Sequence, residues 1–149
     1  MQNLICKDGK VSQFPGSARY NTTAVASPIT WAERYYGLFP DGFKKKTLCF
    51  SGTSIYVGDE ALRTLTEVKS GFTSGIKPES VIIQVAGQSQ LYFMTGEDNV
   101  YYYDGNDGNV WYQSAITQKL VQGVEWLDRL WSFEKNSSLL LYSKTLFPE

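Results

Sequence analysis

The sequence has no histidine and only two cysteines among its 149 residues. Without an imidazole there is no Ser-His-Asp or Cys-His arrangement, and no side chain that ordinarily titrates near neutral pH for general-base work. Cys6 and Cys49 lie far apart, without metal-like spacing, each flanked by apolar residues in a strand-like run. They read as small buried thiols, with pairing between the two left open. Charge of one sign is also lacking: 14 basic residues face 15 acidic ones, a formal net charge of -1. Such a balance sets up no broad field to attract nucleic acid or a membrane. The one basic cluster, Lys44-Lys45-Lys46, is short and sits beside Asp41-Gly42. No run approaches the roughly 18 to 20 apolar residues of a membrane span, and the N-terminus has no apolar signal core.

Aromatics are abundant instead, with ten Tyr, eight Phe and four Trp. At this density they argue against disorder and suit pleated, half-buried surfaces. The length is enough for one ordinary domain with a buried core.

Turn formers divide these residues into short extended runs. Asp8-Gly9 between Leu4-Ile5-Cys6 and Val11 is a strong hairpin signal, because Gly tolerates positive φ. The segment Ser27 to Phe39 has partly helical aromatic spacing but is also compatible with a strand, kept short by Pro28 and Gly37. Lys46 to Phe50 and Ser54 to Val57 flank a Ser51-Gly52-Thr53 turn, and Ala61 to Val68 fits two helical turns or a strand. The strongest signal is four runs joined by tight turns: Val81 to Ala86, Gln90 to Met94, Asn99 to Tyr103 and Asn109 to Gln113. They describe a four-stranded antiparallel meander, with Gly87-Gln88-Ser89 as its first turn and Val81, Ile83 and Val85 on the face opposite Ile82. A run from Lys119 leads through Trp126 to Phe133, turns at Glu134 to Ser138, and returns along Leu139 to Ser143. The expected fold class is therefore all-β, built of antiparallel meanders resembling blades of an incomplete β-propeller. The expected layout is one β domain: N-terminal hairpins and a partial blade over 1–75, a blade-like meander over 76–118, and the start of a further blade over 119–149.

Candidate chemistry is sparse. Asp8, Asp41, Asp59, Asp98, Asp104, Asp107 and Asp128 mostly sit in or beside Gly-containing turns, where Asp caps nearby backbone N–H groups. The stretch Asp104 to Asn109 is rich in oxygen ligands but departs from the EF-hand pattern, with Gly108 at a ligand position and no closing Glu. It resembles the Asp-box turn of sialidase-like propellers, whose Trp, here Trp111, packs between strands. Glu125 and Asp128 flank Trp126, yet on one strand they would point to opposite faces, which weakens a glycosidase pair. Tyr101-Tyr102-Tyr103 has no basic stripe beside it to make a nucleic-acid platform. The expectation is a non-enzymatic chain without a metal or cofactor. Its structural or interface residues would be Arg129, Trp126, Trp131, Tyr142, Trp111 and Tyr92. Arg129, with its planar fork of donors among apolar neighbours, is expected to bond to backbone carbonyls or a carboxylate.

Three stretches carry a family resemblance. Asn3 to Val11 followed by Phe14-Pro15-Gly16-Ser17-Ala18-Arg19-Tyr20-Asn21 resembles the opening of tailed-bacteriophage tail hub and nozzle proteins, with Gln13-Phe14 where those carry a basic residue. Gln90 to Gly96, continuing through Tyr101 to Gly105 and Trp111, is similar to their typical blade. Asp128-Arg129-Leu130-Trp131-Ser132-Phe133 and Leu141-Tyr142-Ser143-Lys144 resemble a recurrent pair in which Arg-Leu-Trp opens a blade. The resemblance implies a virion structural protein, made in the host cytoplasm and placed in the tail. Its partners would be other tail or head-tail connector proteins, in an oligomeric ring or with strands completed by another chain. It implies no specific nucleic-acid contact and no membrane. A carbohydrate-binding or cell-surface β-module is the other expectation, with the aromatics as ligand platforms.

Overall fold

Short runs of β-branched and aromatic residues, cut by Gly and Asp, cannot sustain helices and can bury their side chains only by pairing edge to edge. A computed structural model of the chain describes residues 4–7, 10–13, 24–39, 42–59, 62–105, 110–127 and 129–143, and no helix occurs among them. Among the described residues thirteen strands form four open antiparallel sheets. Strands β1 (Leu4–Lys7) and β2 (Lys10–Gln13) make a two-stranded ribbon. The first large sheet joins β3 (Ile29–Phe39), β4 (Gly42–Ser51), β5 (Ser54–Asp59) and β6 (Thr64–Ser70) in chain order. The middle sheet joins β7 (Glu79–Val85), β8 (Gln88–Met94), β9 (Tyr101–Tyr103) and β10 (Trp111–Gln113). The third sheet joins β11 (Leu120–Trp126), β12 (Arg129–Glu134) and β13 (Leu140–Tyr142).

The period-two alternation of strands makes the middle sheet a partition between two cores. On β8, Leu91 and Phe93 join a cluster with Tyr35, Leu48, Phe50, Ile55 and Phe72 from the first sheet and the segment after it. Tyr92 and Met94, pointing the other way, join Ile83, Val85, Leu120 and Leu130 on the side of the third sheet. On β7, Ile82 packs against the first cluster and Val81 against the second. Phe93 is the hub of the first core, with its ring 5.1 Å from Trp31, 5.4 Å from Phe72, 5.7 Å from Phe50 and 5.8 Å from Trp111. Tyr35 reaches across from the first sheet and donates its hydroxyl to the Ser89 carbonyl at 2.6 Å.

Several local expectations need correction. Both segments left open between helix and strand are strands, and the first, expected to be short, runs 11 residues through Gly37 to Phe39. The second begins only at Thr64, after a turn in which Asp59 accepts from the Leu62 N–H at 2.8 Å. The β7–β8 turn is Ala86-Gly87 with φ of 49° and 79°, so Gln88 and Ser89 belong to the strand and pair with Val85 and Gln84. The run read as continuous from Trp126 to Phe133 is broken at Leu127, and Trp126 pairs with Arg129. The N-terminal ribbon pairs within itself and adds no strand to the third sheet. Asp8, Gly9, Phe14 to Asn21, Asp41, Asn106 to Asn109, Asp128 and Lys144 to Glu149 lie outside the described residues, and with them several turn centres and the oxygen-rich loop beyond Gly105. Cys49 is a buried free thiol, and burial pushes its pKa up to about 11.

Candidate assembly interface

The two faces of the third sheet are built differently. Its inner face is made of small and aliphatic residues that let it lie close on the middle sheet. Gly123 is the tightest point, since a Cβ there would stand 2.8 Å from Leu130 Cδ1 and 3.0 Å from Met94 Cε. Opposite it, Ser132 is buried and its hydroxyl bonds to the Gln122 carbonyl. Leu120, Leu130 and Leu141 fill the rest of that face.

The outer face is apolar as well, and nothing in the described chain covers it. The cross-strand pairs Val124–Trp131–Tyr142 and Gln122–Phe133–Leu140, with Trp126 opposite Arg129, place these eight side chains on one side. Trp126 is 59% exposed, Tyr142 58% and Phe133 47%, values unusual for such large apolar groups. The rings form a row: Trp126 lies 5.4 Å from Trp131, and Trp131 lies 5.0 Å from Tyr142, inclined at 55° and 31°. The Trp131 indole donates to the Trp126 carbonyl at 3.0 Å. Arg129 lays its guanidinium over the Tyr142 ring at 5.3 Å and approaches the Ser143 carbonyl at 3.4 Å, so its polar capacity is turned toward its own sheet. Beside the row runs a largely apolar groove of about 420 Å³, lined by Trp126, Trp131, Phe133 and Leu140 together with the polar Gln122 and Glu125. At its end the β11–β12 turn carries Leu127, 69% exposed and held at φ 53°.

Of the six residues singled out from sequence, four meet here: Trp126, Arg129, Trp131 and Tyr142. Trp111 and Tyr92 sit elsewhere, in the cores on either side of the middle sheet. Trp111 stacks on Tyr103 at 5.5 Å, and its indole nitrogen is buried without a hydrogen-bond partner among the described residues. Tyr92 begins a stacked ladder through Tyr102 to Tyr112, with spacings of 5.5 and 5.4 Å. Sequence reading missed Val124, Phe133 and Leu140 as members of the face. Their signal was the alternation within each strand, which is readable only once the turn at Leu127 divides the run.

A second, polar cleft of about 250 Å³ lies among Lys69, Phe72, Glu97, Asp98, Tyr101 and Lys119. Its charges are engaged in tying loops together. Asp98 accepts from the Thr73 N–H and hydroxyl and from Thr95, Lys119 bonds to Asn99, Lys135 pairs with Glu97, and Lys69 sits over the Tyr101 ring. Among the described residues no group of three or more His, Cys, Asp or Glu is placed to hold a metal ion. The chain matches no family model, no curated protein and no solved structure, so the exposed face of the third sheet has to be interpreted from its own chemistry.

Proposed function

We propose that this chain is a structural assembly module, and that it serves in the tail hub or nozzle of a tailed bacteriophage, holding neighbouring virion proteins near the DNA exit channel. The observation that carries the assembly reading is the third sheet, which bears large apolar side chains on both faces while the described residues cover only one. A sheet of that composition matches one buried on both sides. Successive antiparallel meanders packed face to face in chain order also support a propeller-like body, since propeller blades are four-stranded meanders of this kind. The tail assignment rests on the sequence resemblance of the N-terminal hairpin, the middle meander and the Arg129-Leu130-Trp131 strand. In this reading the chain has no catalytic role.

Exposed aromatics also favour a second reading, a carbohydrate-binding module that stacks sugar rings on Trp126, Trp131 and Tyr142. Against it, the rings are inclined to one another, the Trp131 indole N–H is already bonded, and the groove beside them is largely apolar, with only Gln122 and Glu125 as polar lining. One experiment separates the two. Antibody labelling of purified particles in electron microscopy, beside a glycan-binding screen of the free chain, should place the chain in a tail and find no sugar. Sugar binding that Trp126→Ala abolishes, together with no labelled particle, would replace the tail reading with the module.

A further inference from the structure

The middle and third sheets overlap with an offset. β11 packs on β7 and β8, the Ser132 hydroxyl of β12 comes within 3.9 Å of the Met94 sulfur on β8, and Leu141 of β13 joins Tyr102 of β9 in the second core. Among the described residues the third sheet has three strands where the middle sheet has four, which leaves β10 without a strand over it. The tyrosine ladder records the step: Tyr92 on β8 is 1% exposed, Tyr102 on β9 is partly buried, and Tyr112 on β10 is 39% exposed. One more strand, about 4.8 Å beyond β13, would lie over Tyr112.

The same strand would find a free edge to pair with. The Ser143 N–H bonds to the Leu130 carbonyl at 2.9 Å, and bonded pairs alternate along an antiparallel ladder. Leu141 and Ser143 therefore bond inward to β12, while the N–H and C=O of Leu140 and Tyr142 point to the open side. Backbone groups in that arrangement select an extended polypeptide, which alone offers acceptors and donors at matching intervals. The outermost strands of the first sheet are guarded against such pairing. β3 carries Glu33, Arg34 and a register shift beside Trp31, and β6 carries Glu67, Lys69 and a register shift opposite Ile55. β13 reads Leu140-Leu141-Tyr142 without charge or bulge, and only its shortness limits pairing. A second copy joined edge to edge through β13 would bring its own overhanging β10 into the space beyond that edge. A single strand leaves this space to its side chains.

We propose that the edge of β13 accepts one extended segment of a partner protein, which becomes the fourth strand of the third sheet; this deepens the assembly reading above and rests on it. The segment's inward side chains are apolar and lie against Leu141 and Tyr112, its outward ones extend the row of Leu140 and Tyr142, and no proline occupies its paired positions. The probe is the full chain extended at its C-terminus by a flexible Gly-Ser linker and a short strand of alternating Val and Thr, held at an effective concentration of about a millimolar. In the unextended chain the Leu140 and Tyr142 amides should exchange with solvent at nearly unprotected rates, and the tethered strand should slow both by about tenfold or more. A tether with Pro in place of the Val residues should give no protection. Leu140→Pro removes an N–H that points away from β12, so it should abolish the protection of Tyr142 with the circular dichroism spectrum unchanged. A folded chain whose Leu140 and Tyr142 amides stay unprotected beside the Val-Thr strand would overturn the proposal, as would protection of both in the unextended monomer. Protection of the unextended chain that grows with concentration alongside a doubled mass would make a second copy the donor and overturn it too. A chain that fails here yet labels the tail keeps the assembly reading with a different contact. One that passes here and labels no particle keeps the strand site and loses the tail reading.

Discussion

A left-handed backbone brings the Cβ of an L-residue against its own carbonyl, at a cost of about 1–2 kcal/mol, and Ala86 and Leu127 both have it, at φ 49° and 53°. Ala86 precedes Gly87 in a two-residue turn that favours Asn-Gly. Replacing it with Asn should therefore stabilise the chain by roughly 0.5–1 kcal/mol, read as a higher denaturant midpoint at unchanged slope. Leu127 is a different case. It is exposed, so Leu127→Gly removes no buried contact from the single chain and should leave it as stable or more so. The same change takes apolar surface from the tip of the open face and should weaken association. Opposite signs in a melting curve and a sedimentation run would identify Leu127 as a residue held in strain for contact with another molecule.

Strands tolerate substitution according to which face a side chain occupies. Phe93 on β8 is fully buried and touches four other aromatic rings. Phe93→Ala should cost about 3–5 kcal/mol, a large share of an ordinary domain's stability. Phe133 on β12 has the same side chain with half its surface in water, and Phe133→Ala should change the stability of the single chain by less than about 0.5 kcal/mol. Urea melts of the two variants test the assignment of faces directly. Gly123 on β11 is set by the distance between sheets. A Val there would drive into Leu130 and Met94, both buried, and should cost about 1–3 kcal/mol through overpacking of the second core.

The chain as a whole should lose stability in alkali. Tyr35 is buried, and desolvation, followed by the neighbouring Tyr103 and Asp104, raises its pKa above the ordinary 10.0. Burial likewise raises the Cys49 thiol from 9.0 to about 11. Both groups are neutral in the folded chain where the unfolded chain has begun to ionise, so the unfolded state binds fewer protons and stability falls as pH rises. Their contribution is fully present below about pH 9 and is lost as the pH climbs through the folded values. Denaturant melts between pH 8 and 11 should show this decline. Tyr35→Phe should lower stability at neutral pH by about 1 kcal/mol, through the lost bond to the Ser89 carbonyl, and should flatten the alkaline slope. A slope unchanged by Tyr35→Phe would place the titrating group elsewhere.

The all-β character was legible from residue order alone, because Asp-Gly and Ser-Gly turns between aromatic and β-branched runs leave few alternatives to hairpins. The alternation of Val81, Ile82, Ile83 and Val85 placed Ile82 on the face opposite the other three, as the two cores have it, since a side chain's face follows from its parity along a strand. Trp126, Arg129, Trp131 and Tyr142 could be picked out by composition, but their meeting on one face could not. That placement depends on a turn centred on Leu127, a residue that local preference excludes from positive φ, so the run around it read as one strand. The burial of Tyr92 was likewise beyond sequence, because an aromatic in a strand looks the same whether the neighbouring sheet lies over it or not. Packing settles that question: among the described residues the middle sheet is covered on both sides, while the third sheet, with apolar faces of similar make, is covered on one.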